Sequence, residues 1–313
     1  MLLFAVIVNY RSPEMTCEAL AALLRELEGI PDARVEVVDN DSRDGSYEKL
    51  RDAVEKLGAA DRVGVSQTDH NGGFGFGNNF AIRSALAAAD APEYVYLLNS
   101  DAFPDPGSIR ALIAFADAHP AVGIVGSYIH GPDGEPHETA FRFPSLGSEL
   151  EYGARVGFLS KLLRRFVVAL EIPTRPTQVD WLAGASMLIR SRVLRDVGLF
   201  DEHFFLYFEE TDLCRRARRA GFATWYVPES RVTHIGSAST GMKIKSRPMP
   251  RFWFESRRHY FRKTHGRAYF WAANLLFTLG FASWRIRRRL QGKPDPDPPG
   301  LLRDFVRFNF LGR

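Results

Sequence analysis

Through the first 130 residues, short apolar runs alternate with longer stretches whose apolar positions recur every three or four residues. Leu3–Tyr10, Val35–Asn40, Arg62–Gln67, Tyr94–Asn99 and Val122–Ile129 are the short runs, each long enough for one strand. Glu14–Leu27, Ser46–Leu57, Asn78–Ala89 and Gly107–Ala118 carry the helical spacing between them. This alternation predicts an α/β fold, a mostly parallel, doubly wound sheet with helices on both faces. Ligands of such sheets sit beyond the carboxyl ends of the strands. Asn9–Tyr10, Asp39–Asn40 and Asn99–Asp101 all fall at those ends, so several strand ends are expected to converge on one crevice.

The pattern loosens over residues 131–180, where GPDGEP reads as a turn and IPTRPTQ as a proline-broken loop. Trp181–Arg190 predicts a strand, Glu210–Ala220 a helix closed by Gly221, and Ala223–Val227 and Arg231–Ile235 two short strands. From Lys243 the character changes, first to the basic loop KIKSRPMPR and then to RFWFESRRHYFRKTHGR, aromatic and basic together. Ala268–Trp284 runs 17 residues without a charge and ends against RIRRR. A spanning helix wants about 20 apolar residues. The segment is therefore read as a helix lying in, or dipping into, an anionic leaflet, with a buried terminal helix and a true span as the alternatives. GKPDPDPPG is a stiff linker before a short amphipathic end.

Composition narrows the class. The 313 residues are 45% hydrophobic and 25% charged, which excludes a disordered, collagenous or disulfide-stapled chain. Cys17 and Cys214 form no CxxC and read as reduced thiols of a cytosolic protein. MLLFAVIVNY lacks a basic n-region and a small-residue cleavage site, and reads as a first buried strand rather than a signal peptide. A net charge of +4 hides a split: residues 1–242 carry a net of −9 and residues 243–313 a net of +13. A basic extension on an acidic body, with no nucleic-acid module, is expected to meet an anionic membrane surface through residues 243–291 rather than a nucleic acid.

Five segments carry candidate chemistry. VVDNDSRDGS ends a strand at Asp39, where a carboxylate suits the ring N–H of a pyrimidine base. The same residues also suit an ordinary helix-capping loop. HNGGFGFGNN, with Asn71, Gly72, Phe74 and Asn78, lacks the last glycine of a dinucleotide fingerprint, and no P-loop is present. Its glycines still permit close backbone approach to an anion, or simply a flexible loop. YVYLLNSDAF places Asp101 after a strand, as a ligand for a hard cation bound to a diphosphate or as a turn residue. Glu209, Glu210 and Asp212 open a helix, where acids favour the helix dipole. The aromatic segment before them would also desolvate a carboxylate and raise its basicity. His234, in SRVTHIGSAST, is a lone histidine with a structural or a ligating reading.

The order of these segments is more specific than any one of them. VIVNY, VVDNDSRDGS, NGGFGFGNN, LLNSDA, WLAGASMLIR, GLFDEHFFLYFEETDLCRRARRAG and VPESRVTHIGSAS together span Phe4 to Ser239. In that order and spacing the chain resembles the inverting, GT-A-fold glycosyltransferases of family 2, particularly their rhamnosyltransferase-like branch. The resemblance implies a nucleotide-sugar half (about 1–130) and an acceptor half (about 131–242), followed by the basic helical extension 243–313. It implies that Asp39 binds the base and that Asn9 and Tyr10 line the nucleotide pocket. Asp101 stands at the last position of a metal-binding DxD-type motif whose first position here is Asn99, and His234 completes the coordination of a divalent cation, Mg or Mn. Glu210 matches the catalytic base, with Asp212 as runner-up, while Trp181, Gly184 and Glu209 face the acceptor.

The implied reaction is one in-line displacement that moves a sugar, first choice L-rhamnose, from a dTDP- or UDP-sugar to a hydroxyl of a lipid-linked or polysaccharide acceptor. The enzyme would sit in the cytoplasm, peripheral to the inner face of the cell membrane. A sugar-1-phosphate nucleotidyltransferase would want a glycine-rich, basic loop after the first strand, where NYRSPEMT stands instead. A non-catalytic binding or scaffold protein on the same fold is the alternative, and would be expected to have lost Asp101 or Glu210.

Overall fold

A computed structural model of the chain describes residues 1–236 and 247–311. The first half runs β1 (Leu3–Asn9), α1 (Pro13–Leu27), β2 (Ala33–Asp39), α2 (Ser46–Lys56), β3 (Val63–Gln67), α3 (Phe74–Ala87), β4 (Tyr94–Asn99), β5 (Ala102–Pro104), α4 (Ser108–Ala118) and β6 (Val122–His130). The second runs β7 (Ala140–Phe141), α5 (Leu146–Ala154), α6 (Gly157–Leu162), β8 (Thr177–Val179), β9 (Trp181–Leu182), β10 (Ser186–Arg190), α7 (Ser191–Val197), α8 (Glu209–Arg219) and β11 (Ala223–His234). α9 (Arg251–Leu290) and α10 (Leu301–Phe310) form the extension.

The main sheet has the order β3-β2-β1-β4-β10-β6-β11-β5, with β8 also on β11. β1 pairs in parallel with β2 and β4, and β6 with β11, whereas β10 enters antiparallel between β4 and β6. Period-two alternation along β1 divides the core. Leu3, Ala5 and Ile7 join Leu20, Leu50 and Leu112 on one face, and Phe4 and Val6 join Ile82, Val193 and Leu213 on the other. This is the expected mixed α/β architecture.

Three elements depart from expectation. Trp181–Arg190 is broken at residues 183–185: β9 pairs with β7 in a small separate sheet, and only β10 joins the main one. Ala223–Val227 and Arg231–Ile235 are one strand, with a shift of register between Val227 and Arg231. Pro228 lies in that interval and has no N–H for the ladder. α3 starts at Phe74 rather than Asn78, because Gly73 turns the chain at φ +90 and the helix forms through two further glycines, poor helix formers.

α9 is two helices meeting at Gly266, whose φ of 85 is non-helical. Its aromatic residues build two small cores. Phe254, Phe277 and Phe281 pack with Phe305 and Phe308 of α10, and Phe261 and Phe270 pack around Phe204. The uncharged stretch 268–284 is thus largely a packed helix. Phe270, Ala273, Phe277 and Phe281 are buried, while Trp271, Leu275 and Leu279 face outward. Among the described residues no helix is long and apolar enough to cross a membrane. The expected domain boundary at 242–243 and the first four residues of the basic loop after it lie outside the described residues.

Candidate active site

The ends of β1 and β2 are in register, so Asn9 stands directly beside Asp39. Asn9 Nδ2 donates to Asp39 Oδ1 at 2.7 Å, and its Oδ1 accepts from Thr16 Oγ1 at 2.8 Å. Ser42 donates to Asp39 through both its hydroxyl and its amide, and Gln67 Nε2 donates to Asp39 Oδ2 at 2.8 Å. Asp39 is fully buried within this network. Asn9 is equally buried, and it orients both the carboxylate and the start of α1. Tyr10 remains half-buried at the rim, with the Arg11 guanidinium over its ring.

The loop before α3 is held by Asn71, whose Oδ1 accepts from Asn40 Nδ2 and from the Gly73 amide, each at 3.0 Å. Gly73 is indispensable there, since a Cβ would stand 1.8 Å from the Phe205 carbonyl oxygen. Gly72 lies against the Phe76 ring. Asn78 is buried and donates to the Phe74 carbonyl within the helix. Phe74 itself lines the main cavity.

That cavity, of about 490 Å³, brings together Phe74, Asn99, Asp101, Trp181, Gly184, Glu209, Glu210 and His234. β5 pairs antiparallel with β11 so that His234 lies opposite Ala102. The pairing sets His234 Nε2 3.0 Å from Asp101 Oδ1 and 3.5 Å from Asn99 Nδ2. A carboxylate oxygen and an imidazole nitrogen at one cavity wall, both largely buried, suit a divalent cation that keeps its other positions for phosphate oxygens and water. The residues present fit Mg or Mn.

On the facing side, Tyr207 and Phe208 both adopt left-handed backbone, at φ 69 and 71, immediately before α8. Such a corner costs roughly 1–3 kcal/mol per residue and aims the helix start into the cavity. Glu209 is buried with its Oε2 unpartnered, and burial together with the Glu210 charge pushes its carboxyl well above the usual range. Burial also raises Glu210, opposed by the Gly184 amide, which donates to Oε1 at 3.1 Å. A carboxylate of raised basicity at a cavity wall can accept a proton from a hydroxyl.

Asp212 is turned the other way. Its Oδ2 accepts from Arg216 Nε and Lys263 Nζ, each at 2.8 Å, and it lines no part of the cavity, so the runner-up base has a structural ion pair instead. Lys263 also binds Asp201, which accepts from His203 Nδ1 and His259 Nε2 at 2.8 Å. Burial pushes the Asp201 carboxyl up, but these donors outweigh it and hold it well below the ordinary range. Asp201, His203 and His259 lie within ligand distance of one another and form a possible metal group, although the Lys263 ammonium occupies the same carboxylate.

Sequence reasoning missed Ser42 and Gln67, the two side chains that complete the setting of Asp39. Ser42 stood inside the motif already singled out. It also missed Ser148, Glu149, Tyr152, Trp253, Arg257 and Phe277, which wall the same cavity from α5 and α9. Helical spacing alone carries no signal that α9 returns to the site.

Comparisons with known proteins agree with this architecture. A family model described as glycosyltransferase like family 2 matches residues 3–263. The N-acetylglucosaminyl-diphospho-decaprenol L-rhamnosyltransferase of Mycobacterium tuberculosis (strain H37Rv) is 34% identical over 218 residues, 66% of this chain and 67% of that protein. Rhamnosyltransferase WbbL of Escherichia coli (strain K12) is 28% identical over 52% of this chain and 60% of its own length. Among solved structures, a mannosyltransferase from Pyrobaculum calidifontis with GDP-Man and Mn2+ superposes with a TM-score of 0.60 at 13% identity, over 93% of this chain and 74% of that one. GalNAc-T7 with UDP, GalNAc and Mn2+ gives 0.57 at 13% identity over 75% of this chain, which spans only 44% of that structure. At such identities the likeness carries the fold alone.

Proposed function

The chain belongs to the glycosyltransferase-like family 2, with rhamnosyltransferases among its relatives, and on that premise we propose that it moves L-rhamnose from dTDP-L-rhamnose, with inversion, to a hydroxyl of a lipid-linked saccharide. The observation that carries the reading is the placement of Glu210 in one cavity with the Asp101–His234 pair. UDP-sugars are the competing donors. The resemblance to the mycobacterial enzyme, whose name specifies a diphospho-decaprenol acceptor, favours a lipid-linked acceptor for this chain as well.

In the proposed mechanism Asp39, oriented by Asn9 and Ser42, accepts the ring N–H of the pyrimidine base in place of the Gln67 amide. Asp101 and His234 would hold a divalent cation, which when bound neutralises charge on the departing diphosphate. Glu210 takes the proton of the acceptor hydroxyl as that oxygen attacks the anomeric carbon. The Gly184 amide fixes one carboxylate oxygen, leaving the other for the acceptor. Trp181 and Phe74 wall the site and exclude water, so orientation contributes alongside proton transfer. Because a single displacement occurs, configuration at the anomeric carbon inverts. The nucleotide-sugar and acceptor halves, 1–130 and 131–242, are part of this proposal, as is a membrane-facing role for the extension.

A thermal-shift titration with dTDP and UDP, each with and without manganese, tests the donor site. Metal-dependent stabilisation by dTDP over UDP is expected. No shift with either nucleotide on folded protein overturns the reading. NMR of the product's anomeric centre then distinguishes inversion from retention.

A further inference from the structure

Beyond the two carboxylates the cavity changes chemistry. Its wall passes the stacked rings of Phe141 and Trp181, with centroids 4.1 Å apart, and continues as an arm lined by α5 and α9, with Tyr152 and Phe277. Gly153 and Gly280 set those helices close together, since a Cβ at Gly280 would lie 2.8 Å from the Ala154 amide nitrogen. The charges along this arm cancel: Arg257 and Glu149 form a buried pair at 2.6 Å. Tyr152, at the outer end, is 52% exposed. α6 follows it in the chain and leaves Phe158 and Leu162 at 78% and 68% exposure, with Lys161, Arg164 and Arg165 in the same stretch.

We infer that the arm lined by α5 and α9 seats the hydrocarbon end of a diphosphate-linked lipid acceptor, while the sugar of that acceptor faces Glu210. The inference rests on the proposed glycosyltransferase reading and deepens it by naming the part of the acceptor that the C-terminal helices recognise. A polysaccharide needs hydrogen-bonding partners along its length, and the arm offers aromatic and aliphatic walls around one neutralised ion pair. A hydrocarbon chain needs only such walls, because its affinity comes from apolar surface removed from water. The arm is continuous with the catalytic acids, so sugar and chain are held at opposite ends of one cavity. The exposed apolar and basic residues of 158–165, which follow α5 in the chain, suit the anionic, oily surface from which such a chain would be drawn.

The probe is farnesyl diphosphate below its micellar concentration, titrated by calorimetry into the full-length protein, with inorganic diphosphate as the control. Farnesyl diphosphate is expected to bind at least about 10-fold more tightly than inorganic diphosphate. Val168→Trp, which fills the arm from a half-buried position, is expected to remove that advantage and leave the manganese-dependent dTDP shift unchanged. Tyr152→Arg, a change at a half-exposed position whose ring stacks on Phe277, is expected to weaken farnesyl binding in the same direction. Equal binding of the two probes overturns the inference, as does farnesyl binding that neither variant alters. If dTDP binds and farnesyl diphosphate does not, the arm assignment alone fails. If neither nucleotide binds, the proposed donor reading on which the inference rests fails.

Discussion

The amide of Gly184 donates to Oε1 of Glu210 at 3.1 Å, and a methyl group on Gly184 would stand 2.6 Å from that same oxygen. The carboxylate rests on a residue that has no side chain to displace it. Gly184→Ala should therefore shift Glu210, the nearest neighbour of the new methyl, with the Phe74 ring next at 3.2 Å. Turnover is expected to fall about 10-fold or more, a cost typical of a displaced reacting group. The dTDP-induced thermal shift should stay as it is, and loss of both together would place Gly184 in folding rather than in alignment.

Glu210→Gln keeps the shape and removes the base. We expect turnover to fall by at least about 100-fold, the scale of positioned general-base catalysis. Donor binding, followed by calorimetry with dTDP and manganese, should change little. Turnover close to that of the parent protein would reject Glu210 as the base.

The pH dependence follows from the paired acids. Burial raises both carboxyls, and Glu209 is raised further by the charge on Glu210. Glu210 must be ionised to act, so turnover should fall with decreasing pH along a limb centred above the usual glutamate value of about 4.3. For Glu209 the sign of the stability effect is opposite to that of a salt-bridged acid. Its raised folded value makes a contribution that is full below the unfolded value and is lost as pH rises through the folded one. Glu209→Gln should thus melt higher than the parent at pH 8, with the gap closing toward pH 4.5. Melting curves across that window check the sign.

Asp101→Ala and His234→Ala probe the candidate cation site from its two sides. Each should abolish the manganese-dependent part of the dTDP shift, and the double variant should be little worse than either single one, as for groups acting on one ion. Independent, additive losses would show that the two side chains serve separate ends.

The Arg257–Glu149 pair is almost wholly buried and fastens α9 to α5. Arg257→Met leaves a buried carboxylate without its partner and is expected to cost about 3–5 kcal/mol in urea unfolding. Adding Glu149→Gln should recover part of that loss. A double variant as unstable as the single one would show that the arginine acts through its contacts with the rings of Phe261 and Phe305.

Much of the sheet and several site residues were legible from the chain because local chemistry marks them. β4 runs Tyr94–Asn99 as expected, and the polar residues at strand ends announced Asp39 and Asp101. What was illegible depends on distant partners. Nothing local says that Asn9 is turned inward by Thr16, or that Asp212 is engaged by Lys263 from a helix 51 residues away. The break at Gly184 was hidden because β9 and β10 are both apolar, and only their pairing with different sheets separates them. The uncharged run 268–284 read as a surface helix because its aromatic residues have no local partners. Phe277 meets Phe305 of α10 only after the chain reverses direction.

β11 has a consequence for how the protein is made. Asp101 meets its partner 133 residues later in the chain, and the wall opposite Tyr152 comes from Phe277. Domains assemble from the amino end as the ribosome delivers them. A nascent chain two hundred residues long already displays Asp39 and Asp101 but has neither the histidine nor the helix that completes the cavity. Completion of the cavity therefore comes late in translation, and a prematurely terminated chain would carry Asp39 and Asp101 without the wall that faces them.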